Sequence, residues 1–146
     1  MSDADLEVDY TDKRIKHLEM IQGVISRMSS NSATVKRYAI VVAAAAISLA
    51  RTADAPIVLF STAILIVIFG LLDARYLLVE RCYRDLYNIV REEPHLQRPD
   101  FRLDITKQMK GAHSMARVLR SWSVTGLYLA LVGFMLVLMI IIWMKL

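Results

Sequence analysis

Cysteine is almost missing from this 146-residue chain: Cys82 stands alone, which excludes an internal disulfide and leaves no basis for a structural zinc site. Histidine is limited to His17, His95 and His113, far apart in the chain, and neither a His-x-x-x-His nor a Cys-x-x-Cys spacing occurs. A glycine-rich phosphate loop and a Gly-x-Ser-x-Gly elbow are likewise missing. These absences lead to the expectation of no metal, no cofactor and no enzymatic centre. Glycine and proline are few, and none falls between Asp73 and Arg91, so nothing in that stretch interrupts a helix.

Apolar residues, by contrast, make up 56% of the chain, and mean hydropathy is +0.44, more than a soluble fold of this size can bury. They concentrate in three runs, from Tyr38 to Ala50, from Pro56 to Leu72 and from Trp122 to Met144. A helix needs roughly 20 apolar residues to cross the hydrocarbon of a bilayer. The third run meets that length directly, and the second meets it if the helix starts near Ala53 and continues through Asp73. The first is short and alanine-rich, so it must extend over Ala33 to Arg37 and to Thr52, with Lys36, Arg37 and Arg51 snorkelling outward. A buried or re-entrant helix is the alternative for that run. The expected fold class is therefore all-α, an integral membrane protein with three transmembrane helices plus cytoplasmic helices.

The basic residues orient this arrangement, since Lys and Arg are retained on the cytoplasmic side. Six precede the first run and ten lie between the second and third, leaving only Arg51 in the first hairpin loop and Lys145 at the C-terminal end. The expected placement is the inner membrane, with the N-terminus in the cytoplasm and the C-terminus outside. The formal charge of +4 reads as this bias rather than as a nucleic-acid footprint, so no specific nucleic acid is expected, while a basic inner face would attract anionic lipid. The first 37 residues are charged and lack an apolar core, so no cleavable leader is expected.

Four segments follow: a cytoplasmic N-terminal segment over 1–32, a transmembrane hairpin over 33–75, a cytoplasmic helical segment over 76–120 and a C-terminal transmembrane helix over 121–146. Residues 1–11 are acidic and rich in turn formers, which predicts a flexible start. From Asp12 onward, Ile15, Leu18, Ile21, Val24, Ile25 and Met28 recur at helical spacing on one face. Such a helix can lie on lipid or pack on a protein; its mixed polar face favours packing, against a cytoplasmic partner or another copy. Ser29 to Ser32 break the pattern, and Asn31 or Ser32 is placed to cap the first span. Arg51 to Ala55 reads as a tight outer turn. The second helix is expected to run from Pro56 to Arg91, roughly 54 Å at 1.5 Å per residue, and to stop at Pro94. Glu80 with Arg84 and Arg81 with Asp85 are i,i+4 pairs along it. His95 to Leu103 reads as a loop, Asp104 as the cap of a helix leading toward the third span, and Gly111 as a possible kink site.

Among these residues Asp73 carries the most information, because a carboxylate at the end of a spanning helix is costly unless paired or solvated. It can sit at the inner boundary bonded to Arg75, Tyr76 or a neighbouring helix. Alternatively, several copies can form a ring of carboxylates at a pore mouth, with Tyr76, Glu80, Arg81 and Arg84 organising the mouth or the assembly. Ser123, Gly126, Ala130 and Gly133 form a small-residue stripe on the third run, suited to close helix packing within one chain or between chains. The runs contain few polar residues beyond Ser48, Ser61, Thr62, Ser123 and Thr125, which argues against a transporter with a polar midplane site. Trp122 and Trp143 bracket the third run as interfacial anchors.

Two stretches carry a resemblance: His17-Leu-Glu-Met-Ile-Gln-Gly-Val-Ile-Ser-Arg-Met28 with Asn31-Ser32, and Gly70-Leu-Leu-Asp73-Ala-Arg-Tyr76-Leu-Leu-Val-Glu80-Arg81 with Arg84 and Leu86-Tyr87. The wording resembles a group of small, mostly uncharacterised bacterial inner-membrane proteins. The architecture is similar to RipA-like octameric membrane proteins and to CRISPR-associated membrane accessory proteins that assemble pores during antiviral defence. The resemblance implies a non-enzymatic homo-oligomer in the lipid bilayer, a pore-forming or membrane-perturbing effector of stress or phage defence. The alternative is a membrane scaffold that recruits a cytoplasmic partner through the Ile15 to Met28 face.

Overall fold

The computed structural model describes residues 3–50, 55–93, 100–110 and 114–144, with side chains placed from Val8 onward except that of Lys110. Five helices are formed among the described residues: α1 Asp3–Leu49, α2 Ala55–Glu92, α3 Thr106–Lys110, α4 Met115–Leu119 and α5 Trp122–Trp143. No strand occurs among them. Three of the five, α1, α2 and α5, are long and apolar enough to cross a membrane. The outer turn expected at 51–54, the stop at Pro94, the kink at Gly111, His95, His113 and Lys145 lie outside the described residues.

Three boundaries differ from the expectations. The acidic start is helical from Asp3, and Lys13 pairs with Asp9 one turn earlier, at 2.5 Å. Ser29 to Ser32 do not break the helix either, so the amphipathic segment and the first span are one helix of 47 residues with no internal cap. Serine and asparagine cost a helix interior only a few tenths of a kcal/mol, about 0.7 at most, no Pro falls within α1, and its one glycine, Gly23, is carried inside the helix. The third difference lies before α5. The approach is divided into short helices, and Ser121, with ψ at 132°, is extended, so the third span begins afresh at Trp122. The Thr125 hydroxyl donates to the Leu119 carbonyl across this bend, taking up an acceptor that a continuous helix would have used.

The chain divides into two compact units, one of Met1–Ser30 with Leu77–Ser114, the other of Asn31–Tyr76 with Met115–Leu146. Within the first, Ile21, Val24, Leu78, Cys82 and Val90 are buried. The segment 100–105 is irregular, with Phe101 at a positive φ of 56°. His17 Nε2 lies 3.1 Å from the Arg102 carbonyl, the His17 and Phe101 rings are 5.5 Å apart, and the Tyr83 hydroxyl donates to the Leu103 carbonyl at 3.2 Å. These contacts hold the segment against both long helices. Asp104 caps α3 as expected, accepting from the Thr106 amide at 2.9 Å and from its hydroxyl, which together hold the Asp104 carboxyl below the usual range.

Within the second unit, small residues form one buried stripe on α1, Ala39, Ala43 and Ala46, and a mixed stripe on α2, Ala55, Leu59, Ala63, Ile66, Gly70 and Ala74. Spacing of three and four residues puts each set on one helix face. Alanine at these positions lets helix backbones approach closely, which is how helices associate where lipid tails remove the hydrophobic driving force. Many large apolar residues of α2 and α5 stay exposed, including Phe60, Leu71, Leu129 and Phe134. In water that surface would be a liability; in hydrocarbon it is the solvated state. Trp122, Trp143 and Tyr38 are exposed as well, as interfacial anchors would be.

Candidate functional site

The most constrained chemistry lies in the second unit, where Asp73 of α2 is 0% exposed. No group on its own helix supplies the pairing; α1 does. Lys36 Nζ lies 2.6 Å from Oδ2 and donates to Oδ1 at 2.8 Å. Ser32, one turn earlier on α1, donates its hydroxyl to the same Oδ1 at 2.5 Å and accepts from Lys36 Nζ at 2.8 Å. The i,i+4 spacing of Ser32 and Lys36 brings both onto the α1 face that meets Asp73. A carboxylate in a low-dielectric site is tolerated only with such a set of donors.

A third helix closes the site. Tyr128 of α5 is buried, and its ring lies across Gly70, where an added Cβ would stand 3.2 Å from the ring. Gly70 is therefore the position that lets the ring pass. The Tyr128 hydroxyl is enclosed beside the Asp73 carboxylate with no well-formed hydrogen bond to any described residue. Ser32, Lys36, Asp73 and Tyr128 thus bring α1, α2 and α5 together at one polar point. Lys36, expected to snorkel outward, turns inward instead, because the buried carboxylate offers more than solvent does.

The other expected residues divide between the units. Tyr76, in the second unit, is half-buried. In the first, Glu80 is buried and receives two hydrogen bonds from Arg84, at 2.9 and 2.7 Å, while Arg81 is half-buried. The Glu80–Arg84 pair has the expected i,i+4 spacing; with the Arg84 side chain 61% exposed, its contribution is modest. The amphipathic face also splits. Ile21 and Val24 are buried, whereas Leu18, Ile25 and Met28 are half-buried and Ile15 is exposed. Two adjoining open grooves, of about 340 and 320 Å³, share Gln22 and Tyr87 and take in Ile15, Leu18 and Ile25.

On α5 the buried residues are Val124, Tyr128 and Met135. At about 100° per residue these fall on one side of the helix, and Ser123, Gly126, Ala130 and Gly133 fall on the opposite one. Ser123, Ala130 and Gly133 are exposed, and a Cβ at Gly133 would meet nothing within 4 Å. The small-residue stripe is thus open among the described residues.

Sequence reasoning singled out Asp73 but not its partners. A signal existed: Lys36 and Asp73 lie at comparable distances on either side of the hairpin turn, so an antiparallel pairing brings them level. Tyr128 had no such signal, because only the packing of α5 aims it inward. Cys82 is fully buried, and access to the thiol controls its chemistry. Folded protein at neutral pH is expected to leave it unmodified by N-ethylmaleimide over minutes by mass spectrometry, and detergent denaturation to expose it; rapid labelling without denaturant would contradict this packing.

Together these features define a class, an all-helical membrane protein in which a buried acid–base pair and a tyrosine join three apolar, membrane-length helices. Compared with family models, curated proteins and solved structures, the chain matches none.

Proposed function

We propose that this chain is a non-enzymatic inner-membrane protein that assembles with copies of itself, and that the assembly forms a pore or perturbs the bilayer in bacterial stress or phage defence. The observation that carries the reading is the α5 stripe of Ser123, Ala130 and Gly133, which faces away from the residues α5 buries. Small residues on an outward helix face give a second helix a place to approach closely in lipid. The bias of Lys and Arg supports the N-terminus inside and the C-terminus outside. Asp73, held inside the protomer, acts in this reading by fixing the three helices that present the stripe; Tyr76, Glu80, Arg81 and Arg84 continue the same α2 helix and steady its polar half.

The test is the particle mass in nanodiscs. Wild-type protein is expected as a discrete multimer, and Gly133→Leu, which fills the open stripe, is expected to shift it to smaller species. A wild-type monomer would sink the proposal. A second reading, a scaffold for a cytoplasmic partner, is favoured by the open grooves at Ile15, Leu18, Gln22 and Tyr87.

A further inference from the structure

Between α2 and α5 in the second unit runs a groove of about 230 Å³, almost wholly apolar, walled by Val67, Leu71, Leu119, Val124, Leu129 and Val132. Gly70 and the Tyr128 ring form its floor. It lies on apolar, membrane-length helices, where the surrounding medium is acyl chains. Beyond two of its wall residues the chain turns basic. Arg75 follows Leu71 by one turn of α2, and Arg120 follows Leu119 directly. Both are exposed, and neither guanidinium has an ion pair or side-chain hydrogen bond among the described residues.

We infer that this groove is a binding site for one anionic phospholipid, with an acyl chain along Val67, Leu71 and Val132 and the phosphate between Arg75 and Arg120. The guanidinium fork suits a phosphate, which it can bind bidentately. A second copy of this chain fits less well. α5 carries no Asp or Glu, so a neighbouring α5 seated in the groove would leave both arginines unmatched. Zwitterionic lipid would fill the groove but would not match the two positive charges as well. A single protomer suffices to form this groove.

The experiment is native mass spectrometry of the full chain released from nanodiscs made of equal phosphatidylglycerol and phosphatidylcholine. Retained phosphatidylglycerol is expected, at one per chain. Arg75→Gln with Arg120→Gln should reduce its preference over phosphatidylcholine roughly 25-fold, about fivefold for each arginine near a bilayer surface. Val132→Trp should reduce retention of both lipids by filling the groove. Arg37→Gln, an exposed basic residue bonded to Thr34, serves as the control and should change neither. Unchanged retention and preference in the double arginine variant would overturn the inference. So would an equal loss in Arg37→Gln, which would reduce the effect to general surface charge. Should Val132→Trp fail to fold, the arginine pair and its control decide the matter alone.

Discussion

Lys36→Met is expected to destabilise the helical membrane unit by about 3–5 kcal/mol, because it leaves the Asp73 carboxylate buried without its cation. The Lys36 side chain is 23% exposed and that of Asp73 0%, so the two losses should differ. After Asp73→Leu the ammonium can swing toward the polar boundary on its flexible stem, and a smaller loss of about 1–2 kcal/mol is expected. The double variant, with an apolar residue at both positions, should recover most of the stability, since replacing a buried ion pair by apolar residues is often neutral or stabilising by about 1–4 kcal/mol. Denaturant titration in mixed micelles, followed by tryptophan fluorescence, measures all four corners of this cycle. Losses that simply add, with no recovery in the double variant, would mean that the pair is not coupled.

Ile21→Ala should be the second large effect, costing about 2–4 kcal/mol, because Ile21 is 0% exposed and its loss opens a cavity that its neighbours cannot fully close. Ile15→Ala, six residues earlier on the same nominal face, should stay within about 0.5 kcal/mol, since Ile15 is 49% exposed. Hydrogen exchange across α1 separates the two: faster exchange around residue 21 only in the first variant, and an unchanged pattern in the second. An equal response would mean that the face is used evenly. In the scaffold reading, Ile15 and Leu18 would then be the residues whose loss weakens partner binding without weakening the fold.

This split shows where periodicity stops being informative. Spacing of three and four residues places Ile15, Leu18, Ile21, Val24, Ile25 and Met28 on one side of a helix, but it cannot say what covers each of them. Ile21 and Val24 are withdrawn from solvent while Ile15 stays open, and the His17 and Tyr83 bonds that fix segment 100–105 in this unit join residues far apart in the sequence. Ser29 to Ser32 teach a related lesson. Residue types that favour caps continue a helix when no Pro stops it, and Ser32 then serves Asp73 rather than the helix end.

Composition and hydrophobic run length by themselves determined that the chain is helical and carries three helices long and apolar enough to cross a membrane, because that property depends on local sequence alone. Glu80 with Arg84 and the Asp104 cap were legible for the same reason, being contacts within four residues. The pairing of Asp73 with Lys36 and Ser32, the passage of Tyr128 over Gly70 and the outward turn of the α5 stripe were decided by tertiary structure. Each depends on which faces of separate helices meet, and in a low-dielectric interior it is the buried carboxylate, needing donors from another helix, that selects among those faces.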